Sequence, residues 1–234
     1  MASLYLSEYL ETAVVGGSIS LEGDEAKHAA TVARTRVGER LAIGNGRGLV
    51  ASGVVSSLDP FALTVDDVRV EAAPDPQLWL VQALAKGDRD ELAVQAATEL
   101  GVSGVIPWSA ERSVSRWEGA KVEKGRLRWE AIVREASKQS IRAWMPVVEP
   151  IASTAQISGL VLDPTAEVAL TDVPLAASGR IALIVGPEGG ISPRELDRLE
   201  QQGSTRVRLG PEILRTSTAG PAAIAVLNAR LGRW

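Results

Sequence analysis

The chain has 234 residues, 45% of them hydrophobic, a net charge of −4, one histidine and no cysteine. It is long enough to bury a real core in one large or two modest domains, and no apolar run approaches the ~18 residues of a membrane span. Lack of cysteine excludes disulfide frameworks and thiolate chemistry, and a lone His28 argues against a histidine metal cluster or a catalytic triad. No metal is expected. Met1-Ala2-Ser3 lacks the basic region of a signal peptide, so a cytoplasmic protein with no membrane partner is expected.

In chain order, residues 1–72 read as short strands: 4–6, 18–21, 40–43, 48–55 and 61–70. Gly44-Asn45-Gly46 is a hairpin signal between two of them. One helix interrupts the run from Asp24 to Arg36, with Asp24 able to cap it. The pattern is a small β-barrel with an inserted helix. His28 has a plain reading as a satisfied histidine at the edge of that small core. Ala72-Ala73-Pro74-Asp75-Pro76 marks a boundary, since prolines there favour extended chain.

From Gln77 onward strands and helices alternate. Strands are expected at 78–84, 104–108, 147–149, 168–170, 181–185 and 206–209, and helices at 88–100, 121–142, 193–202 and 219–231. Leu92, Ala96, Ala97 and Leu100 should face inward on the first helix, and Trp129, Val133 and Ala136 on the second. Such alternation predicts an α/β domain over 73–234 with a mainly parallel sheet covered on both faces.

Charge is unevenly spread. Residues 112–142 hold nine basic against four acidic side chains, a local +5, which leaves the remainder near −9. Arg134, Lys138 and Arg142 recur every four residues, which puts them on one helix face. Only five of the 25 basic residues are lysine, and arginine suits phosphate contacts; a solvated face is the plain alternative.

Two strands each run into a Gly-Pro pair: Val185-Gly186-Pro187-Glu188-Gly189-Gly190-Ile191, and Leu209-Gly210-Pro211-Glu212-Ile213-Leu214-Arg215-Thr216. Open α/β sheets bind ligands at the carboxyl ends of their strands. Neither turn has the Gly-Lys-Ser/Thr of a phosphate loop or the Gly-x-Gly-x-x-Gly of a dinucleotide turn. They fit two walls of a pocket for an adenosine-like ligand gripped by main chain, and fit plain strand–helix turns as well. Ser192, Pro193 and Glu195 make a helix start with a capping box. Pro221 requires the last helix to begin at about Thr218 or later.

In company with Ala83-Leu84-Ala85-Lys86-Gly87-Asp88-Arg89, Ala97-Thr98-Glu99-Leu100-Gly101-Val102, Ser109-Ala110-Glu111-Arg112-Ser113-Val114 and Glu135-Ala136-Ser137-Lys138-Gln139-Ser140-x-Arg142, these turns form six ordered motifs. The chain resembles the RsmE family, the small-subunit (16S) ribosomal RNA (uracil-N3)-methyltransferases of the SPOUT class. The resemblance covers nearly the whole chain, since His28, Val32, Arg34, Gly38 and Glu39 match the N-terminal region. Glu212 stands where arginine is common, Ala33 where leucine is expected, and Pro221 is unexpected.

The resemblance implies a PUA-like RNA-binding barrel over 1–72 and a methyltransferase domain over 73–234 tied in a trefoil knot. It implies S-adenosylmethionine held by Leu170, Thr171, Val185, Gly186, Pro187, Glu188, Gly189, Gly190, Ile191, Leu209, Gly210, Pro211, Ile213, Leu214, Thr218 and Ala219. Arg215 and Arg112 are the candidates for favouring the N3 anion of a specific uridine near the decoding region, and Glu188 for accepting its proton. His28, Arg34, Lys86, Arg134, Lys138, Gln139 and Arg142 are expected on RNA. A homodimer acting on 16S ribosomal RNA in the assembled small subunit is implied. The alternatives are a SPOUT ribose 2′-O-methyltransferase and a non-catalytic RNA-binding protein of ribosome assembly.

Overall fold

A computed structural model of the chain describes residues 3–234. Two compact units emerge: residues up to 73 with 137–145, and residues 74–136 with 146–234.

In the first unit, β1 (Ser3–Leu6), β2 (Ser18–Ser20), β3 (Arg40–Gly44), β4 (Leu49–Leu58) and β5 (Phe61–Val70) pair in the order β1-β3-β4-β5-β2. All pairs are antiparallel except β1–β3. The two-residue period of a strand sends Tyr5, Leu41, Ile43, Ala51, Leu63 and Val65 to a core that all five strands share. Leu4, Leu6, Ala42 and Val50 alternate to the other side, where they pack on Ile141, Ala143, Trp144 and Met145. The 45–48 loop closes the β3–β4 hairpin, and Asn45 Oδ1 accepts from the Arg47 and Leu49 amides at 2.7 and 3.1 Å. Gly48 sits at φ +100°, and a Cβ there would lie 2.4 Å from Glu71 O and 2.9 Å from the Trp144 ring. Its amide donates to Ala143 O at 2.9 Å, so a side chain would push apart the contact that holds the 141–145 segment on the sheet.

The inserted helix is shorter than predicted. Helix α1 (Gly23–Lys27) passes into a π-helical turn, His28–Val32, and Arg34 at φ +53° ends it. Glu22, not Asp24, is the N-cap; Asp24 and Glu25 occupy the first turn, where the helix dipole favours them.

The second unit holds a wholly parallel six-stranded sheet in the order β11-β9-β10-β6-β7-β8. Its strands are β6 (Gln77–Ala83), β7 (Gly104–Trp108), β8 (Val147–Val148), β9 (Leu160–Leu162), β10 (Arg180–Val185) and β11 (Thr205–Val207). Helices α2 (Arg89–Glu99) and α5 (Thr216–Arg230) pack together on one face; α4 (Pro193–Gln201) lies on the other. Along β6, Trp79, Val81 and Ala83 join the α4 side, so Leu80 and Gln82 point toward α5, where a Cβ on Gly220 would meet Leu80 at 2.9 Å. Parallel strands buried on both faces read as continuous apolar runs, which is how 78–84 and 181–185 read.

Four expectations shift. The strand foreseen at 168–170 is a single bridge, Ala169 to Arg208, and the place between β10 and β11 belongs to 160–162. Leu92 is 56% exposed, while Asp90, Ala93, Val94, Ala97 and Thr98 are buried, so α2 is turned from the face that leucine spacing suggested. Helix α3 (Ala120–Gln139) stops before Arg142, because Ile141 takes φ +54°; Arg142 is therefore not on the helix face with Arg134 and Lys138. Helix α5 begins at Thr216, which places Pro221 in its second turn and removes a bond to Ser217 O. The first turn is secured from outside the helix, as described below.

Gly48→Ala combines a left-handed backbone with a backbone clash and should lower unfolding stability by about 1–3 kcal/mol. Urea titration should show the midpoint falling with the m-value unchanged.

Candidate active site

A cavity of about 610 Å³ opens where β9, β10 and β11 end. Three stretches wall it: 162–165 after β9, 185–191 after β10, and 207–216 after β11. Carboxyl ends of parallel strands leave main-chain groups unpaired by the ladder, so these turns present N–H and C=O groups to whatever occupies the space. Gly186 is required there: a Cβ would come 2.6 Å from the Ile191 side chain.

One hydroxyl ties three elements beneath the cavity. Thr216 Oγ1 donates to Gly186 O at 2.8 Å and accepts from Gln82 Nε2 at 2.9 Å. Gln82 is fully buried and also donates to Ala83 O. The start of α5, the end of β10 and the end of β6 are thus held in register, and Arg215, the N-cap of α5, is placed on the cavity rim.

The carboxylates of the site are engaged. Glu188 Oε1 accepts from the Lys86 amide and from Arg89 Nη1, each at 3.1 Å. Partial burial works against its charge, but the backbone amides and Arg89 outweigh this and hold its carboxyl below the usual range. A carboxylate so stabilised is a weak base. Its geometry is that of a brace between the β10 loop and the β6–α2 loop. Asp163, its side chain 8% exposed, accepts from Thr165 and from Arg206. Burial raises its pKa; those bonds more than offset it, so the carboxyl is depressed.

Behind the cavity the predicted capping box is present. Ser192 Oγ accepts from the Glu195 amide at 3.2 Å, and Glu195 Oε2 accepts from the Ser192 amide at 3.3 Å. Glu195 Oε1 also accepts from the Glu111 amide at 2.8 Å and Thr154 Oγ1 at 2.9 Å. This buried carboxylate thereby anchors the 109–113 loop, on which exposed Arg112 donates to Gly189 O at 3.2 Å.

Of the predicted cofactor residues, Val185, Gly186, Pro187, Glu188, Gly190, Ile191, Leu209, Gly210, Ile213, Leu214 and Ala219 line the cavity. Gly189, Pro211 and Thr218 lie in the same loops and first helical turn without lining it. Leu170 and Thr171 do not line it either: Leu170 is 1% exposed, with its carbonyl taken by Arg230 Nη1. Leu162–Thr165 stands in that place instead, as does the missed tether Thr216. The signal for the 162–165 wall is the short apolar run Leu160-Val161-Leu162 running into Asp163-Pro164.

The residues expected on RNA have mixed environments. His28 and Arg34 are exposed, and the His28 ring meets Tyr5 edge-on at 6.2 Å. Lys138 is paired with Glu25 at 3.2 Å, its side chain only 9% exposed, and lies 5.8 Å over the Tyr5 ring. Burial lowers the Arg142 pKa to about 10, with Glu71 acting the other way, which leaves it charged at neutral pH. Lys86 and Gln139 are exposed, and Arg134 is half-buried.

The comparisons agree with this geometry. Residues 73–228 match the RNA methyltransferase domain family, and residues 21–67 match the RNA methyltransferase PUA domain. A Mycobacterium bovis protein called ribosomal RNA small subunit methyltransferase E is 40% identical, covering 97% of this chain and 92% of its own. The Bacillus subtilis protein of that name is 29% identical, with 90% of each chain covered. A crystal structure of the Neisseria gonorrhoeae ribosomal RNA small subunit methyltransferase E, bound to S-adenosyl methionine, superposes with a TM-score of 0.86 at 26% identity, covering 98% of each chain.

Replacing Thr216 by valine leaves Gly186 O and Gln82 Nε2 without this partner and should lower stability by about 1–3 kcal/mol in a denaturant titration. Asp163→Asn tests the depressed carboxyl. That carboxylate stabilises the fold above the ordinary aspartate pKa, and the contribution is lost as pH falls through its lower folded value. The variant should show a flatter stability profile over that acid range than the parent. With architecture, loops and relatives in accord, the chain belongs to the RsmE family of ribosomal RNA small subunit methyltransferases.

Proposed function

We propose that the protein transfers a methyl group from S-adenosylmethionine to N3 of one specific uridine of 16S ribosomal RNA, near the decoding region. The cavity at the ends of β9, β10 and β11 carries this reading, because its chemistry fits the donor. Leu162, Val185, Ile191, Leu209 and Leu214 offer apolar walls, and Gly186, Gly190 and Gly210 let main-chain groups approach closely. No phosphate-binding cluster is needed for such a ligand.

S-adenosylmethionine supplies a methyl group on a sulfonium, already electrophilic, so the protein's task is chiefly positioning. The acceptor is the harder partner, since uracil N3 carries a proton. A cation close by favours the N3 anion. Arg215 on the cavity rim and Arg112 on the Glu195-anchored loop are the two arginines for that role. Glu188 serves as the brace of the cofactor loop rather than as the base, given its depressed pKa and two donors.

The first unit is the PUA-like RNA-binding part, with His28 and Arg34 on phosphate; Lys86, Arg134, Gln139 and Arg142 add contacts from their own elements. Lys138 acts through its pairing with Glu25, holding the end of α3 in the first unit. Exposed Ile213 and Leu214, 83% and 38% accessible at the cavity mouth, support a homodimer formed over that loop. The trefoil knot belongs to the same loops. The substrate is the RNA in the assembled small subunit, in the cytoplasm.

Nucleoside analysis of small-subunit RNA from a strain lacking the gene tests the product: N3-methyluridine should be missing and should return on adding purified protein and S-adenosylmethionine. Its persistence in that strain would refute the assignment. Arg215→Ala should lower single-turnover methylation at least tenfold while calorimetry finds the donor bound as in the parent; unchanged methylation would remove Arg215 from the chemistry.

A further inference from the structure

A second cavity, of about 350 Å³, lies in the same unit beyond the carboxyl end of β6. Lys86, Asp90, Ser115, Trp117 and Trp129 line it, and it has no lining residue in common with the donor cavity. A base seated here is therefore not the methyl acceptor. The two spaces are nevertheless neighbours. Glu188 lines the donor cavity, and its Oε1 accepts at 3.1 Å from the amide of Lys86, which lines the second. One side chain thus bridges them, a separation on the scale of one nucleotide step along an RNA strand.

Two groups prepare this cavity for a base. Trp117 is half-buried and seated over Gly125, where a Cβ would fall 2.3 Å from its ring. It meets the buried Trp129 edge-to-face at 5.4 Å and 76°, so the plate is fixed before any ligand arrives and costs little ordering on binding. Asp90, also buried, is the second group: Oδ2 accepts from the Ala85 amide at 3.2 Å and Oδ1 from the Glu91 amide at 2.9 Å. A carboxylate has about four acceptor positions, so each oxygen keeps capacity for one more donor. Among RNA bases guanine alone presents two adjacent donors on its pairing edge, the N1–H and the N2 amino group. Adenine and cytosine set an acceptor beside their amino group, and uracil flanks its N–H with two carbonyls.

We infer that this cavity holds the base of a nucleotide directly next to the target uridine, a guanine stacked on Trp117 with its N1–H and N2 amino group donating to Asp90. The inference rests on the methyltransferase reading above, and it leaves the target N3 at the donor cavity beside Arg215 and Arg112. An enzyme that draws a base out of its stack also unstacks the neighbours of that base. Unstacked RNA bases are held on aromatic side chains and read along their edges. A uracil presents the same N3 wherever it occurs, so the choice of one uridine has to be read from its surroundings. A neighbour fixed in a second pocket supplies that reading and sets the register of the strand. Lys86, exposed between the two spaces, is placed for the phosphate that joins the two nucleotides.

The test uses the full-length protein, S-adenosylmethionine and small subunits reconstituted on 16S RNA that carries guanine, adenine or an abasic nucleotide on either side of the target. With the wild-type protein, the abasic nucleotide at one flank should lower kcat/KM about ten- to a hundredfold, the range of one base–aromatic stack. At that flank guanine should exceed adenine about tenfold or more, the range of one bidentate pair. Trp117→Ala should lose a similar factor on the guanine substrate, with donor affinity unchanged by calorimetry, and Trp117→Phe should recover most of it. The abasic substrate should then be no worse than guanine for Trp117→Ala, a shared loss that a merely structural role of the ring does not produce. Losses that multiply, parity of guanine and adenine, or normal methylation by wild type with both flanks abasic in turn overturn the inference. The wild-type measurements decide the matter if Trp117→Ala does not fold. A wild-type protein that binds no donor or leaves the unaltered subunit unmethylated overturns the parent reading instead, so the two failures are distinguishable.

Discussion

The Thr216 hydroxyl, donating to Gly186 O while receiving the Gln82 amide, is the interaction on which the site depends. It lies where β6, β10 and α5 converge, and it gives the Gly186 carbonyl at the end of β10 a buried donor. Burial makes the arrangement costly to break: Thr216 is 6% exposed and Gln82 fully enclosed. It also accounts for Pro221. A proline in the second turn removes one helical bond, but the first turn is already held by the sheet, so α5 starts two residues before the position that proline alone would dictate.

Around that tie the charges divide into two kinds. Glu188, Asp163 and Glu195 each accept several donors and work as struts between loops. Arg112 stands on the loop that Glu195 holds, and Arg215 caps α5 beside the Thr216 tie; both are exposed. Such a layout suits a reaction in which the donor is activated beforehand and the protein must position an acceptor. Glu188 is held below the usual carboxylate range by its amide and Arg89 donors, whereas burial pushes Asp90 above it.

Much of this was legible in residues alone. The continuous apolar runs at 78–84 and 181–185 announced buried parallel strands, and Ser192-Pro193-x-Glu195 announced a capped helix start that the structure has at that residue. The errors have local causes. Leu92 looked like a core position by spacing, but the rotation of α2 is set by Asp90 bonding to Ala85, a contact that periodicity does not encode. Val168-Ala169-Leu170 looked like a strand as much as Leu160-Val161-Leu162 does, and only pairing partners distinguish them. Lys138 and Arg142 looked like neighbours on a basic face until Ile141 ended the helix between them.

Fold class, the position of the two Gly-Pro turns and the family are readable along the chain, because apolar period, turn residues and ordered motifs are local properties. Tertiary structure decided what surrounds those turns. It brought Leu162–Thr165 to the cavity in place of Leu170, joined residues 137–145 to the first unit, and set Trp117 over Gly125 beside Asp90. These are contacts between residues far apart in the chain, fixed by which strand pairs with which and by burial of polar atoms that need a partner.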